Sequence, residues 1–573
     1  MVEQPIENYG VIGNMRSIAL VSMIGSIDFF CFPNFDSPTV FAALLDKEKG
    51  GRFCIEPELE NLRTKQLYLP DTNILLTRFL SSSGVVELVD FMPILEGKKG
   101  DIHAHQIIRS MRVIKGEVRF KMRCSPRFDY ARCGHMVEAN GRSIHFNPHD
   151  SKCLRMSLKA TVPLTVEGDD AVASFTLKAG ETAIFTFGEA EDTKEHISHR
   201  SIDYHFQQTA NYWRGWIGHS NYTGRWREMV NRSALLLKML CDQEHGSLIA
   251  APTFGLPEDI RGVRNWDYRY TWLRDSAFSL YAFIRLGFLD EARNFARWLR
   301  DRLHDDAERG PLQVMYRVDG NQDLDEEILE HFRGYKESRP VRTGNGASKQ
   351  LQLDIYGELM DSVYLSNKYG DGISHDDWKG VSRILDWLGK NWQRPDEGIW
   401  EVRGGSRHFL HSRLMCWVAF DRGIRLGDKR SLTAPFAQWQ AARDAIYEDI
   451  FANFWSDKLQ AFVQYKGSDK LDASVLLMPM LRFISPVDPR WLSTMQAIEK
   501  NLTEESLVYR YQTSGETVDG LTGGEGSFTA CSFWYIECLA RSHQVEKARL
   551  LFDKMLGYAN HLGLYAEELG SSG

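Results

Sequence analysis

No segment of this chain approaches the roughly 18 consecutive apolar residues that a membrane-spanning helix needs, so no span is expected. Blocks of Lys or Arg are also missing. With a net charge of −8 and a pI near 6.1, nucleic acid and anionic membrane surfaces are excluded as natural partners. The opening residues Met1-Val2-Glu3-Gln4-Pro5-Ile6-Glu7 lack a basic region followed by an apolar run, so a secretory signal is not expected. The nine cysteines are scattered without the paired spacing of a zinc site or a disulfide framework, and they read as buried thiols. The chain therefore reads as cytoplasmic, and the glycosylation-like triplets at Asn221, Asn231 and Asn501 as chance. Low-complexity tracts, sequence repeats and alternating strand–helix units are lacking too, which excludes Rossmann and (β/α)8-barrel architectures.

What is present is a long, aromatic-rich chain. Its 573 residues exceed one ordinary domain, and 43% hydrophobic against 25% charged residues suits a large core. Aromatics reach 12%, with 15 Trp, which suits sugar stacking and equally suits packing. Up to about residue 220, short alternating or β-branched runs separated by turns predict an antiparallel sandwich; Gly84-Val85-Val86-Glu87-Leu88-Val89-Asp90-Phe91 and Val118-Arg119-Phe120-Lys121-Met122-Arg123-Cys124 are examples. From about residue 226 the period becomes helical. Eleven helices are predicted, near 227–242, 273–286, 289–304, 350–368, 375–391, 407–426, 433–450, 471–482, 488–500, 527–541 and 544–561, consistent with helical hairpins in a ring.

Three loops carry the candidate chemistry. In Gly520-Leu521-Thr522-Gly523-Gly524-Glu525-Gly526-Ser527-Phe528, glycines flank one carboxylate just before a helix. Glycine permits close backbone approach, and the helix dipole favours an ionised Glu525, so it reads as a general base or as a helix cap. In Trp400-Glu401 of Gly398-Ile399-Trp400-Glu401-Val402-Arg403, the Glu is an acid candidate or an exposed partner of Arg403. In Tyr268-Arg269-Tyr270-Thr271-Trp272-Leu273-Arg274-Asp275, Arg274 and Asp275 form a helix-start ion pair or a fork for sugar hydroxyls beside an aromatic wall. Two carboxylates near a sugar are what acid–base glycoside hydrolysis requires. Asp267, Arg269, Glu358, Glu397 and Asp519 are rival charges read as structural. His408 and His411 are read as helix-face histidines rather than a metal pair.

These motifs, together with Tyr9-Gly10-Val11-Ile12-Gly13-Asn14 and Leu562-Gly563-Leu564-Tyr565-Ala566-Glu567-Glu568, resemble glycoside hydrolase family 15, the glucoamylase and trehalase family, in its bacterial-type branch. The resemblance covers nearly the whole chain. It implies a multidomain β + α protein: an antiparallel β-sandwich over residues 1–225, then an (α/α)6-barrel catalytic domain over 226–573. Members usually continue past the Gly-Leu-Tyr-Ala-Glu-Glu segment into one more helix, so eleven helices rather than twelve, and a missing final one, are expected.

Carried over by motif, Glu401 is expected to be the general acid and Glu525 the general base of an inverting mechanism. Arg274 and Asp275 would grip the terminal glucose, Trp272 would wall it, and Tyr268 would sit beside the attacking water. Trp400, Gln352 and Asp354, the last two in Gln350-Leu351-Gln352-Leu353-Asp354, would be substrate contacts. The leading expectation is an exo-acting, glucoamylase-like α-glucosidase releasing β-glucose from α-glucans or short α-glucosides. Trehalase is the alternative within the family. A truncated binding protein and an inverting phosphorolytic enzyme are the alternatives outside it. No metal or cofactor is expected; phosphate and magnesium enter only with the trehalase alternative, whose branch includes members that depend on them. The partner is a small oligosaccharide or α-glucan, and the sequence leaves the oligomeric state open.

Overall fold

Side chains that alternate in burial build the first half of the protein. Leu75–Leu80 and Glu117–Cys124 each bury every second residue, the period-two signature of strands with one face in a core. The computed structural model describes residues 3–95, 105–190, 197–305, 312–369, 372–512, 519–521 and 523–570. Two eight-stranded antiparallel sheets stack face to face. One is ordered Tyr9–Gly13, Ile18–Ser22, Ile27–Cys31, Phe53–Pro57, Glu117–Cys124, Asp170–Lys178, Thr165–Glu167, with Thr39–Phe41 added beside Ile27–Cys31. The other runs from His135–Asn140 through Thr182–Glu189 and Gln106–Lys115 to Arg63–Tyr68. Ile12, Phe30, Val86, Phe120, Phe185 and Phe187 fill the space between them.

One element is absent from the sequence reading of this half. Residues His199–Ile217 form helix α1, capped by Ser198, whose side chain accepts from the Ser201 N–H. It lays Ile202 and Ala210 on Ile74, Phe91, Ile108 and Ile184 of the sandwich. Its far end, Trp213 and Ile217, joins a core shared with Leu235, Met239 and Phe283 of the helical half. The all-β expectation up to residue 225 is corrected to a sandwich plus this bridging helix.

The helical half continues with α2 (Arg227–Met239), α3 (Leu273–Leu286), α4 (Leu289–Asp305), α5 (Asp354–Tyr369), α6 (His375–Asn391), α7 (Leu410–Arg430), α8 (Phe436–Asn453), α9 (Leu477–Met480), α10 (Pro489–Leu502), α11 (Thr529–Arg541) and α12 (Val545–Leu556). Helices α3, α5 and α7, the turn Ala473–Leu476 that leads into α9, and α11 pack side by side in that order around the inside, and α4, α6 and α8 follow one another outside them. This is the (α/α)6 arrangement. The predicted helix at 471–482 is a 3-10 turn followed by a single α turn containing Pro479, which has no N–H to continue a ladder. Among the described residues no helix follows Leu556; Glu568–Leu569 instead pair as a short strand with Ser527–Phe528. No described helix is long and apolar enough to cross a membrane.

Candidate active site

The start of α3 and the loops before α5, α7 and α11 converge at one end of the barrel. Arg274, in the first turn of α3, is the hub. Its Nη2 donates to Glu401 Oε1 at 3.0 Å, and its Nη1 donates to Gln352 Oε1 at 3.0 Å and Asp354 Oδ2 at 3.4 Å. Trp272 Nε1 donates to the same Glu401 oxygen at 2.8 Å. Gln352 passes a hydrogen bond to Gln350, whose amide donates to the backbone carbonyls of Glu401 and Val402. Glu401 itself has φ +55°, a left-handed conformation that non-glycine residues adopt at a cost. Such strain is retained where the surroundings over-determine the geometry, here a carboxylate held by two donors on one oxygen while the other oxygen stays open.

Asp275 is paired less closely with Arg274, at 3.7 Å, and keeps 39% of its side chain exposed against 21% for Glu401, so both carboxylates face the open mouth. Burial among protein atoms pushes the Asp275 carboxyl up, opposed by Arg274 and reinforced by the Glu401 charge. Glu401 is not the partner of Arg403: that guanidinium pairs with Glu326 at 2.9 Å and stacks on Trp266.

Glu525 occupies a different place from the one expected of it. Its side chain is 0% exposed. Arg510 reaches it with Nε at 3.2 Å and Nη2 at 2.6 Å, Arg264 Nη1 lies at 3.3 Å, and the Tyr511 hydroxyl donates at 3.2 Å. Both oxygens accept hydrogen bonds, and the side chain is sealed from solvent. The glycines of that loop serve close packing: a Cβ on Gly526 would lie 2.5 Å from the Leu569 carbonyl oxygen, and one on Gly520 2.6 Å from Gly404. Thr522, within the same loop, lies outside the described residues.

The carboxylate that does open to the mouth is Glu567. Its backbone carbonyl accepts from the Thr529 N–H at the start of α11, and the pairing of Glu568–Leu569 with Ser527–Phe528 fixes its height. It is accessible, and among the described residues no hydrogen bond holds its side chain. Crowding by protein, with the negative charges of Glu258, Asp275 and Glu401 nearby, pushes its carboxyl up to about 7 against the pull of Arg510. Tyr268 lies beside it, the Glu567 charge being the strongest electrostatic influence on that phenol, and its ring leans on Trp272 at 6.1 Å. Sequence reasoning quoted Glu567 in a motif but gave it no role. The only local signal was the Glu567-Glu568 doublet after Tyr565-Ala566.

Trp400 turns its N–H onto both oxygens of the buried Asp472, at 2.9 and 3.0 Å, and its ring toward Arg510 at 5.5 Å. It offers a sugar at most its ring. The rival charges are structural: Glu397 holds the Leu351 N–H and the Ser406 hydroxyl, and Asp519 pairs with Arg264 at 2.5 Å. Glu358 is buried and its carboxyl pushed well up by burial and by Asp354. His408 bonds Arg413, whereas His411 is buried beside Asp354 and Arg274, its ring pKa driven down to about 3 by burial, so the two do not form a metal pair.

One oxygen each of Glu258, Glu525 and Glu568 come within 4.8 Å of one another, a spacing that could hold a cation. Arg510 already fills that place, its Nη2 lying 3.3, 2.6 and 3.0 Å from the three carboxylates. The trio therefore does not fit a divalent ion, and no chemistry is routed through one.

Accessible carboxylates, an Arg–Asp pair and aromatic side chains thus meet at one end of the (α/α)6 barrel. Residues 224–570 match the family described as Glycosyl hydrolases family 15. This chain belongs to that family. Residues 2–201 match the domain described as Trehalase-like, N-terminal. The chain is 38% identical to a trehalase of Mycobacterium tuberculosis over 99% of its own length and 85% of the relative's. It is 35% identical to a trehalase of Thermoplasma volcanium over 98% of its length and 89% of the relative's. A bacterial glucoamylase solved in complex with acarbose superposes with a TM-score of 0.73, covering 99% of this chain and 90% of that one at 12% identity, a likeness of fold. As a family 15 member the protein is a glycoside hydrolase acting on a saccharide.

Proposed function

We propose that this chain hydrolyses α,α-trehalose to two glucose molecules with inversion at the cleaved anomeric carbon. The observation that carries the substrate is the end-to-end similarity, through both domains, to trehalases of Mycobacterium tuberculosis and Thermoplasma volcanium. The glucoamylase-type expectation rests on motifs common to the whole family and gives way to the alternative reading.

In this reading Arg274 and Asp275 bind the hydroxyls of the glucose being attacked, with Trp272 as a wall. Glu401 protonates the glycosidic oxygen; Trp272 and Arg274 occupy its Oε1 and leave Oε2 for the proton. Glu567 replaces Glu525 as general base, because it alone of the two is open to water. It takes a proton from water as that water attacks the anomeric carbon, with Tyr268 alongside. Inverting pairs stand roughly 6.5–9.5 Å apart so that the water fits between them. The attacked glucose leaves as the β anomer, and the other departs as the α anomer.

The test is glucose release from trehalose, maltose, isomaltose, maltotetraose and dextran, with and without phosphate and magnesium, followed by proton NMR. Equal initial amounts of α- and β-glucose from trehalose are expected. Faster release from maltotetraose than from trehalose sinks the substrate assignment.

A pH profile follows from Glu567. A base must be ionised to act, and its carboxyl is pushed up to about 7. kcat/KM is therefore expected to fall about tenfold per unit as pH drops below that value. An acid limb near 4, the range of an ordinary carboxylate, would remove Glu567 from the role.

A further inference from the structure

Three consecutive residues of the sandwich, none of them glycine, hold a left-handed backbone: Asp129 at φ +48°, Tyr130 at +56° and Ala131 at +64°. L-residues visit this region singly, and a run of three persists only when its surroundings over-determine it. Flanking bonds do so. Arg127 N–H donates to the Val40 carbonyl, Phe128 and Cys133 bridge, and Arg132 pairs with Asp129 at 2.9 Å and with Glu327 of the helical half at 2.7 Å.

The result of the strained turn is to drive Tyr130 into the helical half. Its ring meets Phe254 edge-on at 5.5 Å, and its carbonyl is held by His331 Nε2 at 2.6 Å. Its hydroxyl takes a hydrogen bond from Arg269 Nη2 at 3.1 Å and shares another with Thr343 Oγ1 at 3.2 Å. Arg269 is completely buried. It forks onto Asp267 at 2.9 and 2.7 Å and reaches back to the Ser37 carbonyl of the sandwich at 2.7 Å. A buried guanidinium with this many fixed acceptors has one position, and the sandwich supplies part of it.

Arg269 lies between Tyr268, beside Glu567, and Trp272, on Glu401. The segment Asp267–Asp275 thus leaves the interface and delivers Tyr268, Trp272, Arg274 and Asp275 to the pocket. Thr343, the other partner of the Tyr130 hydroxyl, belongs to the segment that pairs with Glu327–Ile328, next to Glu326, which binds Arg403 two residues after Glu401. One phenol thus bonds both to Arg269, within the segment that carries Tyr268 and Trp272, and to Thr343, in the strand paired beside Glu326.

We propose that Tyr130 is a positioning residue for catalysis: the left-handed turn of the sandwich sets Arg269 and Thr343, and through them the loop carrying Tyr268, Trp272, Arg274 and Asp275. This rests on the pocket assigned above and gives the sandwich a part in turnover beyond packing.

The experiment compares Tyr130→Phe, Thr343→Val and the double variant in the full chain. Wild type is first measured on the saccharide panel, so the substrate reading stands or falls before any variant is made. The variants are then compared on whichever substrate wild type turns over, with glucose affinity read in parallel by tryptophan fluorescence. Each single variant is expected to lose about tenfold in kcat/KM and to bind glucose more weakly, since small misplacements of binding groups are costly. The melting temperature should stay within about 2 °C of wild type, and the double variant should be little worse than either single one, as for residues acting as one unit. kcat/KM and glucose affinity within twofold of wild type in both single variants would overturn the proposal. So would losses that vanish when activity is expressed per folded molecule. If wild type turns over none of the panel, glucose affinity alone decides by the same criteria.

Discussion

Glu567→Gln is expected to lower kcat on trehalose by roughly 10²–10⁴-fold, the range that general acid–base catalysis contributes. The melting temperature should be unchanged or slightly higher. Among the described residues the Glu567 side chain has no hydrogen-bond partner to lose, and burial together with the charges of Glu258, Asp275 and Glu401 raises its carboxyl pKa, so removing its charge relieves an unfavourable state. The discriminating comparison is Glu525→Gln. That side chain is sealed between Arg510, Arg264 and Tyr511, so its loss should act on stability and leave kcat within a few-fold. Should Glu525→Gln abolish turnover in a folded protein while Glu567→Gln keeps it, the base assignment is wrong. Azide rescue sharpens the test: a small anion can enter beside an open position 567 and restore part of the rate, whereas position 525 is closed.

The second large effect is expected at Arg510, which the sequence marks in no way. Its guanidinium serves Glu258, Glu525 and Glu568 at once; burial raises the carboxyl pKa of Glu258 and Glu568, and the Arg510 charge opposes that rise. Arg510→Met keeps the apolar stem but removes the cation these carboxylates share, leaving only Arg264 beside Glu258 and Glu525, a change of the kind that costs about 3–5 kcal/mol. The pH dependence carries the diagnosis. Without Arg510 the folded-state pKa values of Glu258 and Glu568, already raised by burial, rise further above their unfolded values. Folding then favours their protonated forms, and the variant loses stability as pH rises through those values. The melting deficit relative to wild type should therefore be largest near pH 8 and shrink toward pH 5. A deficit independent of pH would mean that Arg510 matters for packing alone. Arg510→Lys should recover only part of the loss, since an ammonium cannot present a fork to three acceptors.

The two carboxylates at the start of α11 show why one half of the proposed acid–base pair was legible and the other was not. Glu401 follows Trp400 in a glycine-bounded turn, and its ligands Trp272 and Arg274 lie in a recognisable motif, so local sequence and family resemblance meet on it. Glu525 has the same local appearance, a lone Glu in a glycine loop before a helix, yet its glycines exist to let backbone strands close on Leu569 and Gly404. Glu567 arrives beside the same helix from 42 residues farther along, through the pairing of Ser527–Phe528 with Glu568–Leu569. Helix α1 was missed for a related reason: it follows a long run of strand-like segments, and its apolar face is shared between two cores that sequence cannot assign.

By itself the sequence determined the two-part architecture, the helix periods from residue 227 onward, and the candidates Trp272, Arg274 and Glu401, which the structure brings together. It does so because hydrophobic periodicity and loop motifs are local properties, written within one or two turns of the residues they specify. Only the tertiary structure decided which remaining carboxylates stay open and which are neutralised. That outcome depends on where Arg510 and Arg264 come to rest and on a strand pairing across 42 residues. The charge state of a carboxylate is set by what folding brings within a few ångströms of it, and that neighbourhood is assembled from distant parts of the chain.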